Sequence, residues 1–339
     1  MDHLADLTGK TIGKYRIIKH LGRGGMAEVY QAYQTTLDRS VALKVILPYL
    51  NADTDFLRRF EREAKSVAAL RHPNIVQVFD YDVEDGLPYM VMEYIEGDSL
   101  KMLLDKLGRR GQTLPLPQAV RVAREIAQAL GYAHKQGVIH RDVKPGNVML
   151  DKTGRVILMD FGVSKIVGVQ TQTASGAATG TPAYMAPEQA LGHAVDQRAD
   201  LYALGVILYQ LVTGHLPFEA DSALTVMLKQ AHDPRPSPRR LRPDLPEGLE
   251  RVILKSMARD PNERFPAAEM FIDFLNNPGA AAELVVPPSS LLPGDPADRP
   301  AWLTEAGAEA GTAPPLTAPA AAESARLPAE QQNVARTVG

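Results

Sequence analysis

The segment from His140 to Asn147 constrains this 339-residue chain more than any other stretch. It reads His-Arg-Asp-Val-Lys-Pro-Gly-Asn, and Asp160-Phe161-Gly162 follows after a separation that accommodates a short hairpin. Phosphoryl transfer from Mg-ATP needs one carboxylate that orients the attacking hydroxyl group and further oxygen ligands that hold metal ions on the phosphates. The spacing predicts that Asp142 accepts the hydroxyl hydrogen bond and that Asn147 and Asp160 bind Mg²⁺ or Mn²⁺. Lys144 is placed to neutralise the phosphoryl group during transfer.

A glycine-rich turn lies upstream, between two stretches that alternate like strands. Residues 17–21 read Ile-Ile-Lys-His-Leu, residues 22–29 read Gly-Arg-Gly-Gly-Met-Ala-Glu-Val, and strand composition resumes at Val29. A strand–turn–strand of this kind covers phosphates with backbone N–H groups, whereas a dinucleotide site would lead into a helix. An ordinary glycine-rich hairpin is the simpler interpretation of this stretch taken by itself.

A single lysine, Lys44, interrupts the apolar strand pattern of residues 41–45. A buried lysine is costly unless it is paired, although a lysine on an edge strand could extend to water instead. The next segment, residues 53–70, has apolar residues at helical spacing, and Glu63 lies beside that stripe, two residues after Glu61. These two glutamates are the candidates for the partner of Lys44.

These motifs occur in the order and local context of a known family. With Ala186-Pro187-Glu188 and Arg264 downstream, the chain resembles the bacterial, eukaryotic-like (Hanks-type) serine/threonine protein kinases over residues 10–277. The resemblance implies an α+β, bilobal protein-kinase fold. A small β-rich N-lobe with one key helix would span residues 10–93, and a larger, mainly α-helical C-lobe would span residues 94–277.

The resemblance also implies the layout of an ATP site between the lobes. Lys44, held by Glu63, would contact the α- and β-phosphates, and the backbone of Glu93 and Ile95 would bind adenine. Ala27 stands where the family has a third glycine. The residues implied to surround the nucleotide are Leu21, Gly22, Gly24, Gly25, Ala27, Val29, Ala42, Lys44, Met92, Glu93 and Ile95.

The activation loop of such kinases would lie between Asp160 and Glu188. Thr171 and Thr173 are spaced like the activating phosphorylation pair of similar bacterial kinases, and Arg141 would pair with the added phosphate. Thr181 would bridge Asp142 and Lys144, an arrangement typical of serine/threonine specificity. The alternative is that the hydroxyl groups of this loop only keep a flexible segment soluble.

Two other classes of protein are alternatives to an active protein kinase. A catalytically silent pseudokinase scaffold usually lacks one of Lys44, Asp142 and Asp160, and all three are present. A small-molecule phosphotransferase of the same fold often lacks the segment 181–188, which this chain has. The expected partners are therefore ATP and proteins with serine or threonine acceptors, with a homodimer expected for trans-autophosphorylation.

Composition sets further bounds. A net charge of −3 argues against nucleic-acid binding, and the absence of cysteine excludes disulfides and fits a cytoplasmic location. The longest apolar stretch, residues 201–212, is too short to span a bilayer and is expected to be a core helix. Residues 1–9 are expected to be an extension of the domain. Residues 278–339, rich in alanine and proline, are expected to be a flexible tail or linker.

Two questions stay open from the sequence. The chain is either a soluble kinase or the cytoplasmic part of a longer, membrane-tethered receptor. The basic, proline-rich stretch 234–243 is either a solvated connection between two helices or a docking patch for acidic substrates.

Overall fold

A computed structural model describes residues 6–50, 54–161 and 182–281, together with Leu284 and Val286; the side chains of Thr54, Asp55 and Glu63 lie outside this description. The N-lobe contains a six-stranded antiparallel sheet with the order β1-β2-β3-β4-β6-β5. Its strands are β1 (Thr11–Ile12), β2 (Tyr15–Arg23), β3 (Ala27–Gln34), β4 (Arg39–Ile46), β5 (Val78–Glu84) and β6 (Leu87–Glu93), and its helix is α1 (Thr54–Ala68).

The C-lobe combines a small sheet with helices. The sheet has the order β7-β8-β9, formed by β7 (Gly97–Ser99), β8 (Val148–Asp151) and β9 (Val156–Leu158). The helices are α2 (Leu100–Gly108), α3 (Leu116–Lys135), α4 (Pro187–Ala190), α5 (Arg198–Thr213), α6 (Ala223–His232), α7 (Glu247–Ser256), α8 (Ala268–Asn276) and α9 (Pro278–Ala281). The predicted α+β architecture, with a small β-rich lobe and a larger helical lobe, is confirmed.

The two faces of the N-lobe sheet bury different sets of side chains because strand residues alternate between faces. One face packs aromatic and aliphatic residues such as Tyr30, Leu43 and Val91 into a separate core. The opposite face contributes Ala42 and Met92 to the main core, which continues into the C-lobe. The predicted apolar stripe of α1 also lies in the main core, since Phe56, Phe60, Ala64, Val67 and Leu70 are all buried.

Helix α5 forms the centre of the C-lobe. Nearly all of its residues are buried, as expected for a helix that is apolar on every side. The predicted stripe of α3 is buried as well, and α3 packs against α5 and α8. Among the described residues, no helix is both long and apolar enough to cross a membrane.

Helical packing continues beyond the predicted boundary at residue 277. Ala281 at the end of α9 is fully buried, and Arg251 on α7 donates a hydrogen bond of 3.0 Å to the carbonyl oxygen of Leu284. The carbonyl of Pro278 approaches Gly248 so closely that a Cβ atom there would lie 1.9 Å from its oxygen. Glycine at position 248 therefore allows the start of the tail to dock on α7, whereas most of residues 282–339, and with them most of the predicted flexible tail, lie outside the described residues.

The basic stretch 234–243 connects α6 and α7, as predicted, but its arginines are not all solvated. Arg235 is buried and donates to the carbonyl oxygen of Met257, and Arg242 donates to that of Val212 at 3.2 Å. Burial lowers the pKa of Arg235 to about 10. Arg239 and Arg240 of the same stretch are exposed, so a docking patch for acidic substrates stays a prediction.

Candidate active site

The loop from His140 to Asn147 brings three of the predicted catalytic side chains into contact. The Lys144 ammonium lies 2.7 Å from Oδ2 of Asp142. The Asn147 amide nitrogen donates to the same carboxylate at 3.0 Å and to the Asp142 carbonyl at 2.8 Å. These contacts fix the Asp142 carboxylate in one orientation, partly exposed at the surface of the loop.

A carboxylate in the core holds this loop from beneath. Asp200, near the start of α5 and only 1% exposed, accepts hydrogen bonds from the backbone N–H groups of His140 and Arg141 at 2.9 and 2.7 Å. It also lies 2.8 Å from Nε2 of His134 on α3. Arg141 has a left-handed φ of 66°, a conformation that costs free energy in a residue other than glycine. The two hydrogen bonds to Asp200 stabilise that conformation.

The role of Asp200 was not predicted from the sequence. The signal that could have identified it is a single carboxylate at the start of an otherwise apolar helix, since a buried charge requires partners.

His140 links the loop to the strand that leads to Asp160. The Asp142 N–H group donates to Nδ1 of His140 at 3.2 Å, so Nε2 carries the ring proton and donates to the Met159 carbonyl at 2.8 Å. The Met159 N–H group in turn donates to the Asn147 carbonyl at 2.8 Å. These bonds place Asp160, the next residue, beside the loop.

Lys44 and Asp160 are in direct contact. Lys44 is 6% exposed on the interior strand β4, and its Nζ lies 2.6 Å from Oδ1 of Asp160. The alternative of an edge-strand lysine that extends to water is therefore wrong. Burial acts to raise the pKa of Asp160, but the charge and hydrogen bond of Lys44 outweigh it and hold that pKa below its usual value. Glu63 belongs to α1, but its side chain lies outside the described residues, so its pairing with Lys44 stays a prediction.

Several of the predicted nucleotide residues share one face of the sheet with Lys44. Val29 is directly opposite Lys44, and Ala42 is directly opposite Met92, in adjacent antiparallel strands. Positions 42 and 44 point to the same side of β4, because successive strand residues alternate. Val29, Ala42, Lys44 and Met92 thus line a common surface.

The glycine-rich turn is shorter than its sequence suggests. Leu21 and Gly22 belong to β2 and Ala27 begins β3, so the turn itself contains Gly24, Gly25 and Met26. The Gly24 N–H group donates to the Ala27 carbonyl at 2.8 Å and closes the turn. Ala27 is paired with Ile46 and has no left-handed φ, so this position does not require a glycine here.

The connection between the lobes begins at Glu93, the last residue of β6. Its N–H group donates to the Gln77 carbonyl at 2.8 Å, and Ile95 is 8% exposed. The binding of adenine by the backbone of Glu93 and Ile95 stays a prediction.

Helix α4 is joined both to the C-lobe core and to the loop 140–147. Glu188 and Arg264 form a buried bidentate pair, with both N···O distances 2.7 Å. Gln189 donates to the Arg141 carbonyl at 3.0 Å and so connects α4 to that loop.

Residues 162–181 lie outside the described residues, and with them Thr171, Thr173 and Thr181. The guanidinium of Arg141 has no hydrogen bond or ion pair to any residue that the structure describes.

The oxygen donors near Asp160 fit a divalent cation of the magnesium type. The Asn147 amide nitrogen is engaged with Asp142, which leaves its Oδ1 oxygen available, and Asp160 supplies a carboxylate. Mg²⁺ commonly binds through one or two such side chains plus substrate phosphates rather than in an all-protein cage. No cluster of three or more His, Cys, Asp or Glu ligands occurs in the described ranges.

Comparison with known proteins adds independent information. The protein kinase domain family matches residues 15–273. The serine/threonine-protein kinase PksC of Streptomyces coelicolor is 42% identical over 312 residues, which cover 90% of this chain and 54% of PksC. The tyrosine-protein kinase MasK of Myxococcus xanthus is 40% identical over 274 residues, which cover 78% of this chain and 42% of MasK. This chain thus spans about half the length of these relatives.

A solved structure is also similar. The crystal structure of the kinase domain of Mycobacterium tuberculosis PknI aligns with a TM-score of 0.65 and 32% sequence identity. The alignment covers 81% of this chain and all of that domain.

Proposed function

Because the chain belongs to the protein kinase family, we propose that it transfers the γ-phosphate of ATP to serine and threonine hydroxyl groups of proteins, including those of its own activation loop. The observation that carries this proposal is the arrangement of Asp142, Lys144 and Asn147 in mutual contact, beside a paired Lys44 and Asp160. The fold predicted from the sequence is confirmed as that of a protein kinase.

The family as a whole uses ATP and a divalent metal ion, and we assign Mg²⁺ or Mn²⁺ to Asn147 and Asp160 in this chain. When bound, the metal supplies positive charge against the phosphates. Asp142 accepts the hydrogen bond of the substrate hydroxyl and aligns its oxygen with the phosphoryl group. Lys144, already 2.7 Å from Asp142, neutralises charge on the group in transfer. Lys44 holds the α- and β-phosphates.

The acceptor hydroxyl is the part of the proposal that needs a separate test. PksC is named a serine/threonine kinase and MasK a tyrosine kinase, although both are similar to this chain. We assign serine and threonine because of Lys144 and Thr181. Phosphoamino-acid analysis should then show phosphothreonine and phosphoserine, and a predominance of phosphotyrosine would contradict the assignment.

The central experiment measures phosphate transfer. Purified protein is incubated with labelled ATP and Mg²⁺, beside Asp142→Asn and Lys44→Met, and the products are mapped. Each variant should retain less than about a tenth of the wild-type rate, a barrier increase above ~1.4 kcal/mol. Asp105→Asn and Lys101→Met make the same changes at an exposed ion pair on α2 and should leave the rate unchanged.

The outcomes separate the competing functions. No transfer by the wild type, with nucleotide still bound, would favour a pseudokinase scaffold. No observation on the described residues favours that scaffold, because Lys44, Asp142 and Asp160 are all present and engaged.

We further propose that phosphorylation of Thr171 and Thr173 activates the enzyme. A phosphate adds about −1.5 to −2 charges at neutral pH, and the Arg141 side chain lies on the catalytic loop with its backbone fixed by Asp200. The double variant Thr171→Ala, Thr173→Ala should lose most activity, and phosphatase treatment of the wild type should have the same effect. Full activity of the double variant would contradict this switch. A cytoplasmic location and a homodimer remain predictions.

A further inference from the structure

One arginine of the C-lobe makes contacts on both sides of the boundary between the lobes. Arg155 lies in the turn between β8 and β9, and its Nε donates to Asp151 of β8 at 3.1 Å. Its Nη2 donates to Oε1 of Glu93, at the end of β6, at 2.9 Å. Its Nη1 donates to the carbonyl oxygen of Pro73, between α1 and β5, at 3.3 Å. A single guanidinium group thus joins one C-lobe strand to two places in the N-lobe.

These contacts extend a backbone attachment between the lobes. The Leu158 N–H group donates to the Asn74 carbonyl at 2.8 Å, and the Val76 N–H group donates to the Leu158 carbonyl at 3.0 Å. Those bonds fix the segment before β5 to β9 but do not involve the end of β6. Arg155 carries the attachment to Glu93, where the chain leaves the N-lobe.

The Arg155 guanidinium differs from that of an ordinary surface ion pair, because its partners are partly buried and it binds three acceptors at once. The side chains of Arg155, Glu93 and Asp151 are 39%, 29% and 15% exposed. A planar guanidinium that donates to three acceptors is held in one geometry, whereas fully exposed pairs are usually weak. The hydrogen bond that Arg155 donates to Glu93 raises the pKa of Arg155, and hydrogen bonds from Thr153 and Arg155 lower the pKa of Asp151 to about 2. Arg155 and Asp151 therefore keep their charges throughout the physiological pH range.

We propose that Arg155 is a positioning residue that braces the connecting segment, residues 94–96 between β6 and β7, by holding Glu93. This inference rests on the proposed function, because that segment and Glu93 are where adenine is assigned. The Glu93 backbone is already fixed on one side by its bond to the Gln77 carbonyl. With its side chain also held by Arg155, the backbone presented to adenine keeps one position, and opening of the lobes is restrained.

The expected consequence is a change in nucleotide binding and release rather than in chemistry. Lobe opening often limits product release in enzymes that close around a nucleotide. Loss of the brace should therefore raise KM for ATP and speed ADP dissociation, each by about threefold to tenfold, which corresponds to the net contribution of a typical intramolecular hydrogen bond. The turnover number kcat should stay within about twofold of wild type or rise, because Arg155 touches none of the groups assigned to transfer.

The test compares Arg155→Met, Arg155→Lys, Glu93→Gln and the double variant Glu93→Gln, Arg155→Met in the full chain. Steady-state kinetics give KM and kcat, and stopped-flow fluorescence with a labelled ADP gives the dissociation rate. Arg155→Met and Glu93→Gln should each produce the predicted changes, and the double variant should be no worse than either. Arg155→Lys should recover part of the effect, since one ammonium can still reach Glu93 or Asp151.

Lys152→Met is the matched control. Lys152 lies in the same turn and pairs with Glu96, but both side chains are exposed, at 70% and 64%. Its loss should change KM and ADP dissociation by less than about twofold.

Hydrogen exchange of the ligand-free chain separates the brace from the proposed function. Backbone amides of residues 93–96 should exchange faster in Arg155→Met and Glu93→Gln than in wild type, whether or not the protein turns over. The brace would be overturned if exchange at residues 93–96 were the same in both variants as in wild type. It would also be overturned if the wild type were active and both variants had the same KM for ATP and the same ADP dissociation rate as the wild type. Absence of turnover in a wild type that binds nucleotide would instead overturn the proposed function. If Arg155→Met fails to fold, Glu93→Gln decides the question from the other side of the pair.

Discussion

The buried pair of Glu188 and Arg264 makes a quantitative prediction. The Arg264 side chain is 0% exposed and that of Glu188 is 7% exposed, and their two N···O distances are both 2.7 Å. Arg264 also donates to the carbonyl of Ala258 at 2.7 Å and lies over the ring of Tyr202. Arg264→Met would keep much of the side-chain volume but leave the Glu188 carboxylate buried without its cation.

The size of the loss follows from the charge left behind. Removal of one partner of a buried ion pair costs about 3–5 kcal/mol, because the remaining charge stays desolvated. The whole domain is expected to be stable by only about 5–15 kcal/mol, so this is a large fraction. Arg264→Met combined with Glu188→Gln should cost less, about 2 kcal/mol, because a neutral amide is cheaper to bury than a carboxylate.

Urea unfolding followed by circular dichroism measures these free energies. Lys101→Met serves as the control, because Lys101 and Asp105 are 66% and 53% exposed and their pair should contribute less than about 1 kcal/mol. The reasoning is refuted if Arg264→Met unfolds within about 1 kcal/mol of wild type, or if the double variant is less stable than Arg264→Met alone.

Three further predictions follow from other parts of the structure. Asp160→Asn should reduce turnover more than about tenfold in the phosphate-transfer assay, since it removes the anionic partner of the proposed metal; near-normal turnover would exclude that role. Gly248→Ala should lower the urea midpoint, because its Cβ would meet the Pro278 carbonyl at 1.9 Å, whereas Gly279→Ala, with its nearest atom at 3.5 Å, should not. Equal midpoints would show that α9 does not dock as described. Burial lowers the pKa of His72, so the unfolded chain binds its proton more readily. The free energy of unfolding should therefore fall as pH drops below about 6.5, more steeply in wild type than in His72→Gln, and parallel curves would contradict this.

The parts of the site that could be predicted from the sequence are formed by residues that lie close together in the chain. The contacts among Asp142, Lys144 and Asn147 follow from a spacing of a few residues, and the burial of Lys44 follows from one charge in an apolar strand. Such short-range contacts can be predicted because the local backbone geometry of a loop or strand determines which side chains meet.

The parts that could not be predicted depend on residues far apart in the chain. Asp200 meets His140 across the C-lobe, and Arg155 meets Glu93 and Pro73 across the lobe boundary. A carboxylate near the start of a helix is stabilised by the helix dipole, so its occurrence there does not by itself indicate a contact with a distant loop. The docking of α9 was missed for a related reason, because its composition is that of a linker and its binding surface is created by Gly248 on another helix.

The attachment of the catalytic loop to Asp200 has a consequence for genetics. Asp200 holds the loop through main-chain N–H groups, so the position of the loop depends on where α5 lies as well as on the side chain of His140. A conservative substitution deep in α5 that lets the helix shift slightly on warming would displace the loop before the lobe unfolds. Conditional, temperature-sensitive alleles should therefore be concentrated in α5, a helix that none of the proposed ligands touches.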